Sequence, residues 1–239
     1  MKNLIKLAIA AVVTACIFPM TAISGEGYRG LSIGIIANEM DLNARGTEYE
    51  GINSPSSNTK GLDKDDIAGY KETKSFDFPS AFIEYSMGEQ ISWTFGVEHI
   101  PGEHALSKKS RTDSADANTG GNDSDHGTRT AVAEVSDLTT VYFEPGIQFG
   151  DYIGIYGKVG GTHLTLDITQ TGNNARYKDK DVWGGVYGAG VKINTPFGLF
   201  LKLEGLETRF RTMTWNTTNN RVRAKTEMSS TRLAIGYNF

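Results

Sequence analysis

Residues 229–239 read SSTRLAIGYNF, and their pattern decides the fold class. Every second residue from Leu233 onward is apolar, and this set is Leu233, Ile235, Tyr237 and Phe239. The residues between them are Arg232, Ala234, Gly236 and Asn238. Side chains alternate between the two faces of a β-strand, so this spacing predicts a strand with one apolar face and one face that is polar or sparsely filled.

The same alternation recurs in seven earlier segments. They lie at about 29–38, 81–87, 91–97, 139–147, 152–168, 183–193 and 199–203. Short turns at 88–90, 150–151 and 195–198 join some of these segments, and long polar connections at about 39–75, 100–130, 169–181 and 211–224 join the others. The sequence therefore predicts eight strands, three short turns and four long loops.

The segment at 152–168 changes phase along its length. Ile155 and Val159 follow one alternation, whereas Leu164 and Leu166 follow the other. A single extra residue in a strand would produce such a change, and glycine is common at that kind of irregularity. We therefore expect a β-bulge near Gly160 and Gly161.

The two kinds of connection alternate along the chain. Compact soluble domains rarely contain structureless connections of about 30 residues, whereas barrels of the outer-membrane type combine short turns on one side with long loops on the other. In hydrocarbon, strands can span only as a closed barrel, because every backbone polar group needs a partner. The sequence predicts an all-β fold, an eight-stranded antiparallel up-and-down transmembrane β-barrel with long extracellular loops and short periplasmic turns.

The N-terminus has the pattern of a secretory signal peptide. Lys2 and Lys6 precede an apolar run at 7–18, and small residues follow at 22 and 24. The run is shorter than the roughly 20 residues of a transmembrane helix. We predict a signal peptide at 1–24 and one barrel domain at 25–239. The residues before Cys16, the only cysteine, also resemble a lipobox, which leaves lipidation of Cys16 as an alternative.

With the C-terminal alternation, the eight segments and the signal, the chain resembles eight-stranded outer-membrane proteins of the OmpA transmembrane-domain or opacity-protein type. The resemblance implies a location in the bacterial outer membrane, contact with outer-membrane lipid and lipopolysaccharide, and recognition by the barrel-assembly machinery. It assigns the C-terminal assembly signal to Leu233, Ile235, Tyr237 and Phe239. It carries over no catalytic or ligand-binding residue, and it covers the barrel alone.

A further set of residues lies on the opposite phase from the apolar faces. It comprises four acids and four bases, namely Glu84, Glu98, Glu144, Glu204, Lys158, Lys192, Lys202 and Arg232. An eight-stranded barrel has an interior just wide enough for side chains, so these groups are expected to pair inside the barrel. A salt-bridged plug is our prediction, and a switchable gate or proton path is the alternative interpretation.

Composition and charge limit the classes of partner and cofactor that the chain is expected to bind. The chain has 24 Lys and Arg against 28 Asp and Glu, a formal net charge of −4. Nucleic-acid binding needs a basic surface that neutralises phosphates, so we expect no nucleic-acid partner. The four histidines show no metal-ligand spacing, and no Ser–His–Asp motif is visible. We expect no metal, no cofactor and no catalytic residue.

The function that these patterns favour is non-enzymatic. We expect a monomeric barrel that presents surface loops for adhesion, envelope integrity or contact with a host or phage ligand. Three alternatives remain open. A small gated pore would conduct through its lumen, a lipid-modifying enzyme of the outer leaflet would need a reactive Ser or His near a strand end, and a secreted lipocalin-like binder would have an apolar interior and a polar exterior.

Overall fold

The computed structural model describes residues 29–49, 67–113, 127–171, 179–216 and 221–239. The predicted signal peptide at 1–24 and Cys16 lie outside these residues. Within the described ranges, no helix is long and apolar enough to cross a membrane.

Ten β-strands form one antiparallel sheet in the described part of the chain. They are β1 (Gly30–Tyr49), β2 (Ile67–Gly88), β3 (Ile91–Ile100), β4 (His104–Asp113), β5 (Gly127–Phe149), β6 (Ile153–Thr171), β7 (Lys180–Asn194), β8 (Leu199–Phe210), β9 (Met213–Asn216) and β10 (Arg221–Asn238). The sheet order follows the chain, and β1 also pairs with β10, which closes the barrel. Strands β3 and β4 both pair with β5, and β8 and β9 both pair with β10, so each couple forms one interrupted barrel strand. The predicted eight-stranded up-and-down barrel is confirmed.

Three short turns lie at one end of the barrel, as the sequence predicts. They connect β2 to β3, β5 to β6 and β7 to β8. The first requires a glycine, because Gly88 has a φ of 97° and a Cβ there would lie 2.0 Å from the carbonyl oxygen of Ile91. We call this end the turn side and the opposite end the loop side.

The predicted bounds of the long loops are wrong, because much of their sequence forms strand. The loop-side part of β1, up to Tyr49, pairs with β2 from Ile67 onward. Strand β4 pairs with the first part of β5 in the same way. These segments lack apolar alternation because neither face of a sheet outside the membrane has to contact lipid, so a pattern based on alternating hydrophobicity does not detect them.

The outer face of the turn-side half is apolar. Its large side chains are about half exposed, for example Val141 at 60% and Leu203 at 58%. We call this surface the apolar belt; it includes Leu31, Ile33, Ile35, Ile83, Tyr85, Ile91, Phe95, Val97, Val141, Ile147, Ile155, Val159, Val191, Leu201, Leu203 and Leu233. The belt ends where Glu39, Asp77 and Glu207 reach the outer face. An apolar exterior around a charged interior is the reverse of a lipocalin, so the secreted-binder alternative is wrong.

The predicted bulge near Gly160 is also wrong. Strand β6 keeps one continuous register with β7 through this region, with Val159 facing out and Leu164 facing in. The bulge lies in the neighbouring strand β5, where the register with β6 shifts beyond Ser136 and Asp137 has a φ of 54°. The apolar residues change face because the interior itself changes from charged to apolar toward the loop side.

Beyond the belt the barrel wall divides. The pairing of β2 with β3 ends at Ala81 and His99, and the same register continued by two residues would place Pro79 opposite Pro101. Proline has no N–H, so two facing prolines cannot extend the ladder. Among the described residues, the rest of β2 pairs only with β1, and β4 pairs only with β5.

The loop-side extension therefore consists of two leaves. One leaf contains β2, β1, β10 and β9, and the other contains β4, β5, β6 and the start of β7. Apolar side chains from both leaves pack together inside; their buried members are Val135, Leu164, Leu166, Val182, Phe210 and Met213. This apolar cluster holds the two leaves together where backbone pairing between them has ended.

Candidate functional site: a buried chain of charges in the lumen

Seven strands carry the eight predicted lumen charges. Glu84 lies on β2, Glu98 on β3, Glu144 on β5, Lys158 on β6, Lys192 on β7, Lys202 and Glu204 on β8, and Arg232 on β10. Each is flanked along its strand by outward-facing residues, as Glu84 is by Ile83 and Tyr85. None of the eight is more than 5% exposed. The alternation of side chains along each strand thus places all eight charged groups in the interior.

The eight side chains form one unbranched sequence of contacts in which acid and base alternate. In order, the nitrogen–oxygen distances are 3.4 Å for Lys192–Glu84, 2.8 Å for Glu84–Lys202, 2.7 Å for Lys202–Glu144, 2.9 Å for Glu144–Lys158, 2.9 Å for Lys158–Glu204 and 3.4 Å for Glu204–Arg232, after which Arg232 contacts Glu98. We call this set the charge chain. Four carboxylates and four cations give it a net charge of zero.

Neutral polar groups continue the charge chain at one end and support it along its length. The Ser80 hydroxyl donates to Glu98 at 2.7 Å, and Asn38 donates to Ser80 at 3.0 Å. The Tyr142 hydroxyl donates to Glu84 at 3.1 Å, and the Tyr156 hydroxyl donates to Glu204 at 2.8 Å. None of these four residues is among the predicted site residues, although their inward strand phase was a usable signal.

Aromatic rings line the same space and contact the ammonium groups. Lys158 Nζ lies 3.8 Å from the centre of the Tyr142 ring, and Lys192 Nζ lies 3.9 Å from the centre of the Phe200 ring. A ring face attracts a cation within about 6 Å, most strongly where water is excluded. Lys192 has a single carboxylate contact in the charge chain, so Phe200 supplies its second stabilising contact.

Several contacts of the charge chain run across the lumen rather than along the wall. Glu84 on β2 and Lys202 on β8 are not neighbours in the sheet, and neither are Arg232 on β10 and Glu98 on β3. A buried charge that loses its partner is strongly destabilising, whereas a complete network is tolerated. The charge chain therefore ties opposite walls of the barrel together at mid-height.

The lumen has three layers along the barrel axis. Toward the turn side the buried side chains are polar and uncharged, including Ser32, Ser92, Gln148 and Asn194. The charge chain follows, and the apolar cluster between the two leaves fills the loop side. In the part of the chain that the structure describes, no group of three or more His, Cys, Asp or Glu side chains could hold a metal ion.

The last strand completes the barrel and carries the predicted assembly signal. Strand β10 pairs with β1 on one edge and with β8 on the other, and the Phe239 N–H donates to the Leu31 carbonyl at 2.9 Å. The ring centres of Tyr237 and Phe239 lie 5.2 Å apart in an edge-to-face arrangement. The two rings are thus positioned at the turn-side edge of the barrel, and their role in assembly stays a prediction.

Aromatic residues also mark the two edges of the apolar belt. Tyr152 and Phe197 lie exposed at the turn side, and Trp183 lies exposed toward the loop side. Such residues are enriched at both interfaces of membrane barrels. The apolar exterior between them has the chemistry of a membrane-spanning surface.

Known structures share the architecture of this chain. The outer membrane protein OprG from Pseudomonas aeruginosa is 10% identical, with a TM-score of 0.50 over 90% of this chain and 99% of that chain. The protein has the fold of an eight-stranded outer-membrane β-barrel. Ail of Yersinia pestis and the protease OmpT of Escherichia coli are also similar, at TM-scores of 0.37 and 0.43 and identities of 12% and 10%. Ail matches over 85% of this chain and 99% of that chain, and OmpT over 92% and 100%.

Sequence comparison adds nothing to this assignment, since no family model and no curated protein matches the chain. The structural likeness gives the fold of this outer-membrane barrel, and the apolar belt gives its environment. The barrel spans the bacterial outer membrane, with lipid against the belt.

Proposed function

We propose that this outer-membrane barrel is a sealed, non-enzymatic scaffold that holds its loop-side extension at the cell surface. The observation that carries the proposal is the charge chain, in which eight buried charges pair completely across the lumen. A complete network leaves no isolated charge that an ion could replace without breaking several contacts. The surface partner would be a host or phage ligand.

The sealed lumen is supported by the layering of the interior as well as by the charges. An ion entering from the loop side would first have to pass the apolar cluster, which offers no hydrogen bonds. It would then have to displace Lys202 from Glu84 and Glu144, to which it is bonded at 2.8 and 2.7 Å. Both steps oppose conduction, since ions shed their hydration shell only where protein groups replace it.

The display role is supported by the length of the strands beyond the apolar belt. Strand β1 continues from Glu39 to Tyr49, and β2 begins at Ile67. At about 3.3 Å per residue and a tilt of roughly 40°, this stretch of β1 rises roughly 25 Å above the belt. A partner could therefore contact the extension without approaching the lipid surface.

Planar-bilayer recording tests the sealed lumen. We expect no discrete channels from the wild type or from Lys202→Met, in which the most central cation is removed. The matched control is Lys225→Met, which removes an exposed lysine from the extension. Discrete currents from the wild type that change in Lys202→Met and not in Lys225→Met would contradict the sealed scaffold and favour the gated pore.

Three further parts of the proposal concern partners and chemistry. We propose that the barrel is monomeric, that its last strand is recognised by the barrel-assembly machinery, and that it has no cofactor. Incubation of the refolded protein with outer-membrane lipids, followed by mass spectrometry of the lipids, tests the absence of enzymatic activity. A hydrolysed or acyl-transferred lipid that appears only with folded protein would favour the lipid-modifying enzyme.

A further inference from the structure

Four basic side chains lie together on the outer face of the loop-side extension. They are Arg45 on β1, Arg223 and Lys225 on β10, and Arg209 on β8, and all four are exposed. Arg45 is the register partner of Lys225, and Arg209 is the register partner of Glu227. We call these four residues the basic cluster. Their strands are adjacent in the sheet, so the basic cluster is a continuous surface.

The basic cluster is unfavourable for the sheet by itself. Like charges directly opposite each other on neighbouring strands are destabilising, and Arg45 faces Lys225 in this way. A bound anion would relieve this repulsion, and the net charge of the whole chain, −4, makes such a concentration of bases more unusual.

Two carboxylates pair with two of the four bases. Lys225 Nζ lies 3.0 Å from Glu227 Oε1, and Arg209 Nε lies 2.8 Å from Glu207 Oε1. The hydrogen bond from Lys225 and the charges of Lys225, Arg209 and Arg45 lower the pKa of Glu227. Four bases and two acids leave a local charge of +2, and neither Arg45 nor Arg223 forms an ion pair with a carboxylate among the described residues.

The height of the basic cluster indicates what it contacts. Arg45 lies six residues along β1 from Glu39, and Arg209 lies two residues along β8 from Glu207, the two acids at which the apolar belt ends. At about 3.3 Å per residue and a tilt of roughly 40°, these bases stand about 5 to 15 Å beyond the end of the belt. This is the zone occupied by the sugars of the outer-leaflet glycolipid, and its outer face points toward the surrounding lipids.

We propose that the basic cluster binds the phosphorylated sugars of lipopolysaccharide. Guanidinium groups bind phosphate with two parallel hydrogen bonds, and a lysine adds a compact charge. Surface bases near a membrane attract anionic headgroups. The inference requires the barrel to stand in the outer membrane, and it does not depend on the lumen being sealed.

Binding of lipopolysaccharide to the detergent-refolded full chain tests the inference by native mass spectrometry. The variant is Arg45→Gln/Arg223→Gln/Lys225→Gln, and the control is Arg29→Gln, which removes one partly exposed base at the turn side. Unheated gel migration verifies that each variant is folded. We expect at least tenfold weaker binding of lipopolysaccharide by the triple variant and wild-type affinity for the control.

Binding of two further ligands, dephosphorylated lipopolysaccharide and inorganic phosphate, identifies the chemical group that the basic cluster recognises. Enzymatically dephosphorylated lipopolysaccharide should bind the wild type as weakly as intact lipopolysaccharide binds the triple variant. Equal binding of the intact and dephosphorylated forms, or equal binding by wild type and triple variant, would overturn the proposal. Inorganic phosphate that binds the wild type as tightly as lipopolysaccharide would overturn the assignment to a glycolipid. Bilayer recordings on the same preparation report on the sealed lumen separately.

Discussion

Replacing Glu204 with glutamine tests the energetic role of the charge chain most directly. Glu204 accepts hydrogen bonds from Lys158 at 2.9 Å and Tyr156 at 2.8 Å, and it lies 3.4 Å from Arg232. The substitution preserves size and removes one negative charge from a nearly closed interior. Lys158 and Arg232 keep their other carboxylates, but the network then carries a net charge of +1.

We expect Glu204→Gln to lower the free energy of unfolding by about 3 to 5 kcal/mol, the usual range for breaking a buried ion pair. The matched control is Lys192→Met, at the end of the charge chain. Lys192 has one carboxylate contact, at 3.4 Å, and its partner Glu84 keeps Lys202 at 2.8 Å. The control should therefore cost about 1 to 2 kcal/mol, closer to the cost of a single buried hydrogen bond.

Urea unfolding in lipid vesicles, followed by tryptophan fluorescence and by unheated gel migration, measures both values. The double variant Glu204→Gln/Lys158→Met restores neutrality, and we expect it to recover part of the loss. A cost below about 1 kcal/mol for Glu204→Gln, equal to that of the control, would refute the reasoning. It would mean that water in the lumen solvates these charges and that their pairing does not hold the barrel walls together.

Three further predictions concern the belt, the C-terminus and the extension. Leu233→Arg should lower the free energy of unfolding in vesicles by about 2 to 4 kcal/mol, because the charge would face lipid. Ser229→Arg, on the same outer face beyond the belt, should lower it by less than about 1 kcal/mol. Similar costs for the two variants would contradict the position of the belt. Phe239→Asp should reduce the amount of protein assembled in the outer membrane while refolding in detergent stays nearly normal. Unchanged assembly in cells would contradict the assignment of Phe239 to the assembly signal. Replacing residues 114–126 with a tight turn should leave unheated gel migration unchanged, because β4 and β5 form the hydrogen bonds of their hairpin and loop length has a small entropic cost. Loss of the folded band would show that this segment is needed for folding.

The sequence was most informative where a residue touches lipid. Outward positions such as Ile33 and Leu233 must be apolar, so their alternation predicts both the strands and the faces. The same rule placed all eight charges in the interior. It could not say which charges meet, because Glu84 and Lys202 are 118 residues apart and come together only when the barrel closes.

Beyond the belt the sequence was a poor guide for a physical reason. A sheet with water on its outer face tolerates any side chain there, so β4 and the loop-side part of β1 read as loop. The phase change in β6 was likewise misread, since Leu164 faces an apolar interior that only the packing of two leaves creates. The facing prolines could not be recognised either, because their relation depends on the register between β2 and β3.

The break at Pro79 and Pro101 has a consequence for how this protein can change over generations. On the turn side of the break, each strand shares a hydrogen-bond ladder with both neighbours, so the insertion or deletion of one residue shifts the register around the whole ring. Beyond the break, the hairpin of β1 with β2 and the hairpin of β4 with β5 share no ladder with each other. Either hairpin can gain or lose residues in pairs while the ring stays the same. The two prolines thus separate a part of the molecule that must conserve its dimensions from a part that is free to diversify.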